Sequence, residues 1–137
     1  MKYTVLEQQK TIKIQAYGKI LEEAFGNTAL AISSLMVKKV HPKMEKYISV
    51  GADDLKSLLY IFLEELLFLV DTEEFFVNDV KSLTIKKQKG FTLNAYLLGD
   101  KRRESYEFLK EVKSIMYKEM EIREEKGRAF VQVNVEF

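Results

Sequence analysis

The stretch GADDLKSLLYIFLEELLFLVDTEE, residues 51–74, constrains the fold more than any other. Leu55, Leu58, Leu59, Phe62, Leu66 and Leu69 recur at spacings of three and four, which is one face of an α-helix. Ile61, Leu63, Leu67 and Val70 widen that stripe until most of the helix is apolar. Such a helix has to be buried on several sides, and the expected place is the concave face of a sheet, beside a second helix. The greasiest run, Leu58 to Val70, is too short to span a bilayer and carries Glu64 and Glu65 in its middle. Asp53 or Asp54, just ahead of the first leucine, can cap the helix N-terminus.

The rest of the chain supplies the sheet and the companion helix. Ile12, Ile14 and Ala16 alternate with Lys13, Gln15 and Tyr17, a strand that ends at Gly18. The period then lengthens: Leu21, Ala24, Phe25, Thr28, Ala29, Ile32, Leu35 and Met36 predict a helix over roughly 19–37. His41-Pro42 breaks the chain, and Met44 to Val50 reads as a half-buried or edge strand. The runs ending at Lys87 and starting at Phe91 form a hairpin around KQKG. GDKRRESYEFLK reads as a loop or one short helix. VKSIMY follows, and then a second hairpin turns at Glu125, Lys126 and Gly127. The order is β-α-β-α and then mostly β. The expectation is one domain over residues 1–137, an α+β two-layer sandwich with two helices packed on one mixed sheet of about six strands.

Composition narrows the function. Lys plus Arg is 22 and Asp plus Glu is 21, so the net charge of +1 gives no global attraction to nucleic acid or to an anionic membrane. Direct nucleic-acid binding is expected to be weak or absent, and no membrane is expected as a partner. There is no cysteine, which removes disulfides and thiolate chemistry and fits a cytoplasmic protein. A single histidine, His41, excludes a multi-histidine metal site and has no evident partner as a general base. Asp53-Asp54 reads as the helix cap rather than as a carboxylate pair for catalysis. Asp71-Thr72-Glu73-Glu74 ends the long helix, where acids oppose the macrodipole; they are either used or start a turn. Lys38-Lys39, Lys86-Lys87-Lys89 and Lys101-Arg102-Arg103 read as solvated loops or as phosphate contacts, with Tyr106 near the third as a stacking partner. No phosphate loop, nucleophile elbow or HExxH motif is present.

Several stretches nevertheless resemble the archease family from end to end. IKIQAYGKILEEAFGNTALAISSLM resembles its first long strand and Leu-Glu-Glu helix. GADDLKSLLYIFLEELLFLVDTE resembles its acid-capped second helix, and EVKSIMYKEMEI resembles its late strand and turn. The resemblance implies a small accessory protein, not an enzyme, that assists the GTP-dependent RNA ligase of tRNA splicing or RNA repair. It also implies a divalent metal such as calcium.

The ligand positions are substituted. Ahead of the first long strand, the family's Asp-His-Thr-Ala-Asp matches Glu7, Gln8, Gln9, Lys10 and Thr11, so its metal-binding Asp falls at Thr11. Its Asp in the last strand falls at Asn134, one His falls at Lys118, and a second falls at Tyr106. A hard cation wants anionic oxygens, and Thr11 and Asn134 offer neutral ones. Lys10 and Lys118 would repel a cation from the same pocket. Glu7 and Glu136 are the candidates for residual ligands, since alternation puts Glu136 on the face of Asn134. No metal is expected to bind. The alternative reading is a non-catalytic binding module whose former cation pocket takes an anion, or a protein partner, between Lys10, Thr11 and Lys118.

Overall fold

The computed structural model describes residues 2–137. Nine strands and two helices follow one another as β1 (Tyr3–Glu7), β2 (Thr11–Gly18), α1 (Leu21–Met36), β3 (Val37–Lys38), β4 (Met44–Ala52), α2 (Leu55–Glu73), β5 (Phe75–Lys87), β6 (Phe91–Lys101), β7 (Glu107–Phe108), β8 (Ser114–Glu125) and β9 (Arg128–Glu136). The α+β class and the two helices are as the periodicity predicts. The sheet differs from the expected single mixed one. It is divided into a four-stranded sheet ordered β1-β2-β9-β8, a three-stranded sheet ordered β4-β6-β5, and a ribbon of β3 and β7. Every pairing is antiparallel. The reason is local: the strands are joined by hairpins or by returning segments, and none of the connections is a βαβ crossover between hydrogen-bonded neighbours.

Each helix touches both large sheets. α1 lies against β1, β2 and β9 on one side and β5 on the other; α2 lies against β8 on one side and β4, β5 and β6 on the other. The two helices lie side by side between the two sheets, as the sequence suggested: α1 over β2 and β9, α2 over the neighbouring β8, and both against the three-stranded sheet. This explains why α2 is apolar around so much of its circumference: it has two sheets to meet rather than one. Leu58, Leu59, Phe62 and Leu63 are completely buried there. Removing such a side chain from water is worth about 1.5–3 kcal/mol. Asp54 is the N-cap of α2, accepting from the backbone N–H of Ser57 at 2.8 Å and from its hydroxyl at 3.3 Å. Those hydrogen bonds hold its carboxyl below the usual carboxylate range.

Two glycines allow the layers to close. A Cβ on Gly18 would lie 2.6 Å from the backbone nitrogen of Ala24, where β2 hands over to α1. A Cβ on Gly99 would lie 2.0 Å from the carbonyl oxygen of Phe76, beside the register shift between Val77 and Asp79 that bends β5 over β6. β4 is an edge strand, as its mixed alternation predicts.

Candidate functional site

Ile12, Ile14 and Ala16 of β2 and Val131, Val133 and Val135 of β9 are completely buried. Strand alternation therefore turns Thr11, Lys13, Gln15 and Tyr17, and Phe130, Gln132, Asn134 and Glu136, to the outer face of the four-stranded sheet. The register sets Thr11 opposite Glu136, Lys13 opposite Asn134, Gln15 opposite Gln132 and Tyr17 opposite Phe130. On the far side of β9, Met116 stands opposite Asn134 and Glu121 opposite Gln132. Tyr117, Lys118, Glu119 and Met120 bulge out between them, and Glu119 takes a left-handed φ of 65°.

The bulge delivers a carboxylate to this face that the sequence reading missed. Asn134 Nδ2 donates to Glu119 Oε2 at 3.3 Å, and Gln132 Nε2 donates to the Glu119 carbonyl at 3.4 Å. Gln15 Nε2 donates to Gln132 Oε1 at 3.0 Å, and the Thr4 hydroxyl donates to Gln15 Oε1 at 3.3 Å. A line of polar side chains thus crosses all four strands. The one signal in the sequence was the broken alternation between Ile115 and Ile122, which alone does not say which side chain the bulge presents.

The structure brings Thr11, Asn134, Glu136 and Lys118 to one face and leaves Glu7 off it. Glu7 stands opposite Ile12, so it lies on the core side at the end of the sheet, where it pairs with Lys110 at 3.0 Å. Lys10 sits in the β1–β2 turn, its carbonyl accepting from the backbone of Phe137 at 3.3 Å. Glu7 and Glu136 therefore do not converge. The amide of Asn134 offers its N–H side to Glu119, and Lys13 stands directly across from it. Among the described residues no three His, Cys, Asp or Glu side chains gather in a group able to hold a metal ion. This donor set does not fit a hard divalent cation, which needs several anionic oxygens in one shell.

The other sequence candidates have structural work. Asp100 is fully buried, and Arg103 Nε donates to its Oδ2 at 2.6 Å while Arg103 Nη2 donates to its Oδ1 at 3.1 Å. The Arg103 hydrogen bonds, aided by the Tyr106 hydroxyl and the backbone of Lys101, hold the Asp100 carboxyl well below the usual carboxylate range despite its burial. The Tyr106 hydroxyl in turn accepts from the backbone N–H of His41 at 3.2 Å. Arg102 pairs with Glu74 at 2.7 Å and lies 4.0 Å from the Phe108 ring. The reading of Lys101, Arg102, Arg103 and Tyr106 as a nucleic-acid contact is therefore corrected: Tyr106 is buried and both guanidiniums are engaged by carboxylates. Of the acids ending α2, Glu73 pairs with Lys46, and Glu74 is the left-handed C-cap. Asp71 lines a cleft of about 530 Å³ with Leu67, Phe108 and Val112.

Comparison with known proteins decides the family. The model of the archease protein family matches residues 3–136. This chain belongs to the archease family. Protein archease of Thermococcus kodakarensis is 41% identical over 124 residues, covering 88% of this chain and 87% of that one. Protein archease of Methanosarcina mazei is 33% identical over 139 residues, covering 98% and 95%. The solution structure of Methanobacterium thermoautotrophicum protein 1598 superposes with a TM-score of 0.84 at 32% identity, covering 98% of both chains. Within this archease, the positions matched to ligands separate. Thr11, Lys118 and Asn134 share the outer face, while Tyr106 belongs to the Asp100 brace elsewhere in the fold. No helix among the described residues is long and apolar enough to cross a membrane.

Proposed function

We propose that this archease is a cytoplasmic accessory protein for a GTP-dependent RNA ligase of tRNA splicing or RNA repair, and that it works by protein contact without a bound metal and without being an enzyme itself. Membership of the archease family over nearly the whole chain carries the reading. The chemistry of the outer face supports the metal-free part: Asn134 is turned toward Glu119, Lys13 stands directly across from it, and Glu7 is committed to Lys110 on the other side. The decisive experiment strips the purified chain with a chelator, removes the chelator, and adds the chain with or without calcium to the RNA ligase of the same organism in that ligase's own divalent cation, following ligase guanylylation and RNA joining. Stimulation that does not depend on calcium supports the proposal. No stimulation, or stimulation that appears only with calcium, refutes it.

A second reading has one observation of its own. Lys10, Lys13 and Lys118 form no ion pair among the described residues, and Lys13 stands directly across from the neutral Asn134. A pocket so altered favours an anion over a cation. In that reading the chain is a diverged interaction module, and a phosphate-dependent rise in melting temperature without ligase stimulation is its signature.

A further inference from the structure

The helices cover one face of the three-stranded sheet and leave the other open. Tyr47 of β4 and Tyr96 of β6 stand opposite each other on that open face, 54% and 44% exposed. Their ring centroids are 4.9 Å apart at 43°. The next row along holds Ser49, Asn94 and Thr84, and the row after it Thr92 and Lys86. Tyr47 Oη and Ser49 Oγ both donate to Asn94 Oδ1, at 2.6 and 2.8 Å. The amide is held by its oxygen, which keeps its nitrogen as a donor for a ligand. Beyond Lys86 the β5–β6 turn adds Lys89, whereas Lys87, the last residue of β5, is turned to the other face, its Nζ 6.0 Å from the Phe91 ring. Among the described residues neither Lys86 nor Lys89 forms an ion pair, whereas Lys81 pairs with Glu45.

We propose that this face binds single-stranded RNA, bases stacking on Tyr47 and Tyr96 and phosphates meeting Lys86 and Lys89. Two exposed aromatic rings on neighbouring strands of an open sheet form a stacking platform that accepts any base. Lys86 lies two rows from the tyrosines, about 13 Å along the strands, so one short oligonucleotide reaches both. Toward Lys86 the remaining groups are Ser49, Asn94, Thr84 and Thr92, which hydrogen-bond bases and sugars; the row on the other side of the tyrosines holds Leu98 with Asp79 and Glu45, the latter paired with Lys81. The charge is local, so the near-neutral chain needs no global basicity and binds with modest affinity. The other aromatic cleft, of about 370 Å³ beside Tyr17 and Phe130, competes poorly for phosphates: its Arg123 and Arg128 are paired with Glu121 and Glu125 at 2.7 and 2.9 Å. The inference stands on this face alone and holds with or without the ligase partnership.

The test is fluorescence anisotropy of a short labelled single-stranded RNA titrated with the full chain at low salt. Y47A/Y96A, whose rings are on the surface, is expected to melt normally and to lose about tenfold or more in affinity. Y47F/Y96F keeps the rings and is expected to bind like the parent. K86Q/K89Q is expected to lower the slope of log K against log salt by about 1.4. R123A/R128A is expected to change nothing. The inference is overturned if the parent does not bind at low salt, if Y47A/Y96A binds equally well, or if the loss follows R123A/R128A instead. Capture of the ligase by this face in place of RNA also overturns it.

Discussion

Placing two carboxylates at Thr11 and Asn134 should create a cation site, and the structure says what it costs first. Asn134 is 8% exposed and donates to Glu119 at 3.3 Å. Asn134→Asp replaces that donor with a second acceptor and sets two negative charges about as far apart. Unit charges at 4 Å repel by about 1 kcal/mol in water and about 4 kcal/mol at an effective dielectric of 20. Glu119 is exposed on the bulge and can swing outward, and Lys13 stands directly across from the new aspartate, so the loss is about 1 kcal/mol or less. For 137 residues the unfolding entropy is roughly 0.3 kcal/mol per kelvin, so the variant melts about 3 °C lower or less in chelator. Thr11→Asp adds a further acid, directly opposite Glu136 and one row from Asn134 on the adjacent strand. That diagonal separates side chains by about 7–8 Å, a gap one ion bridged by two carboxylates can close.

Calcium then turns the repulsion into attraction. At a hundred times its dissociation constant a ligand stabilises the folded state by about 2.7 kcal/mol, or roughly 9 °C here. The assay is a thermal melt of parent, T11D, N134D and T11D/N134D in chelator and across a calcium series. The double variant should start lowest and rise most, and the parent should not move. A double variant insensitive to calcium refutes the placement of Thr11 and Asn134 on a shared ligand face. A parent that rises as much as the double variant refutes the argument that its own donor set does not fit a cation.

Three further outcomes follow from the core and the brace. Asp100 has its carboxyl held below its unfolded value, so its contribution is present above the unfolded pKa and is lost as pH falls through the folded one. Asp100→Asn should melt lower at neutral pH, and its melting temperature should fall less steeply than the parent's on acidification, read by circular dichroism at stepped pH. Gly99→Ala drives a Cβ to 2.0 Å from the Phe76 carbonyl, an overpacking worth about 3 kcal/mol or more, and should melt at least ~10 °C lower. Phe62→Ala opens a cavity where α2 meets the sheets and should cost about 3–5 kcal/mol, lowering the midpoint by ~10–17 °C in a denaturation scan.

Much of the fold was legible because its elements carry a period. The α2 stripe, the Asp54 cap and both hairpins follow from spacing and turn residues. β3 and β7 have two residues each, too few to carry any period. The β8 bulge breaks the alternation at Tyr117–Met120, which is why VKSIMY and MEIREE read as separate pieces of what is one strand. The Asp100 brace was hidden for a different reason: DKRRESYE reads as a solvated charge run, and only packing shows that Asp100 and Tyr106 are inside. At the site, alternation correctly put Asn134 and Glu136 on one face. It could not fix the face of Glu7, because the register across the Gln8–Lys10 turn decides that.

The same alternation explains how the polar outer face can change while the fold stays. Thr11 and Asn134 interleave with Ile12, Val133 and Val135, whose side chains point the other way and are completely buried. Substitution on the outer face therefore leaves the packing untouched and is worth only a few tenths of a kcal/mol where no charge is brought close. The backbone ladder between β2 and β9 does not depend on which polar side chain stands on that face. Asn134 even gains a partner, since its amide bonds the Glu119 carboxylate that an aspartate would repel. The packing of the fold and the chemistry of the outer face thus depend on opposite sides of the same two strands. That is why a chain 41% identical to an archease over most of its length can share its architecture while its site chemistry must be argued residue by residue.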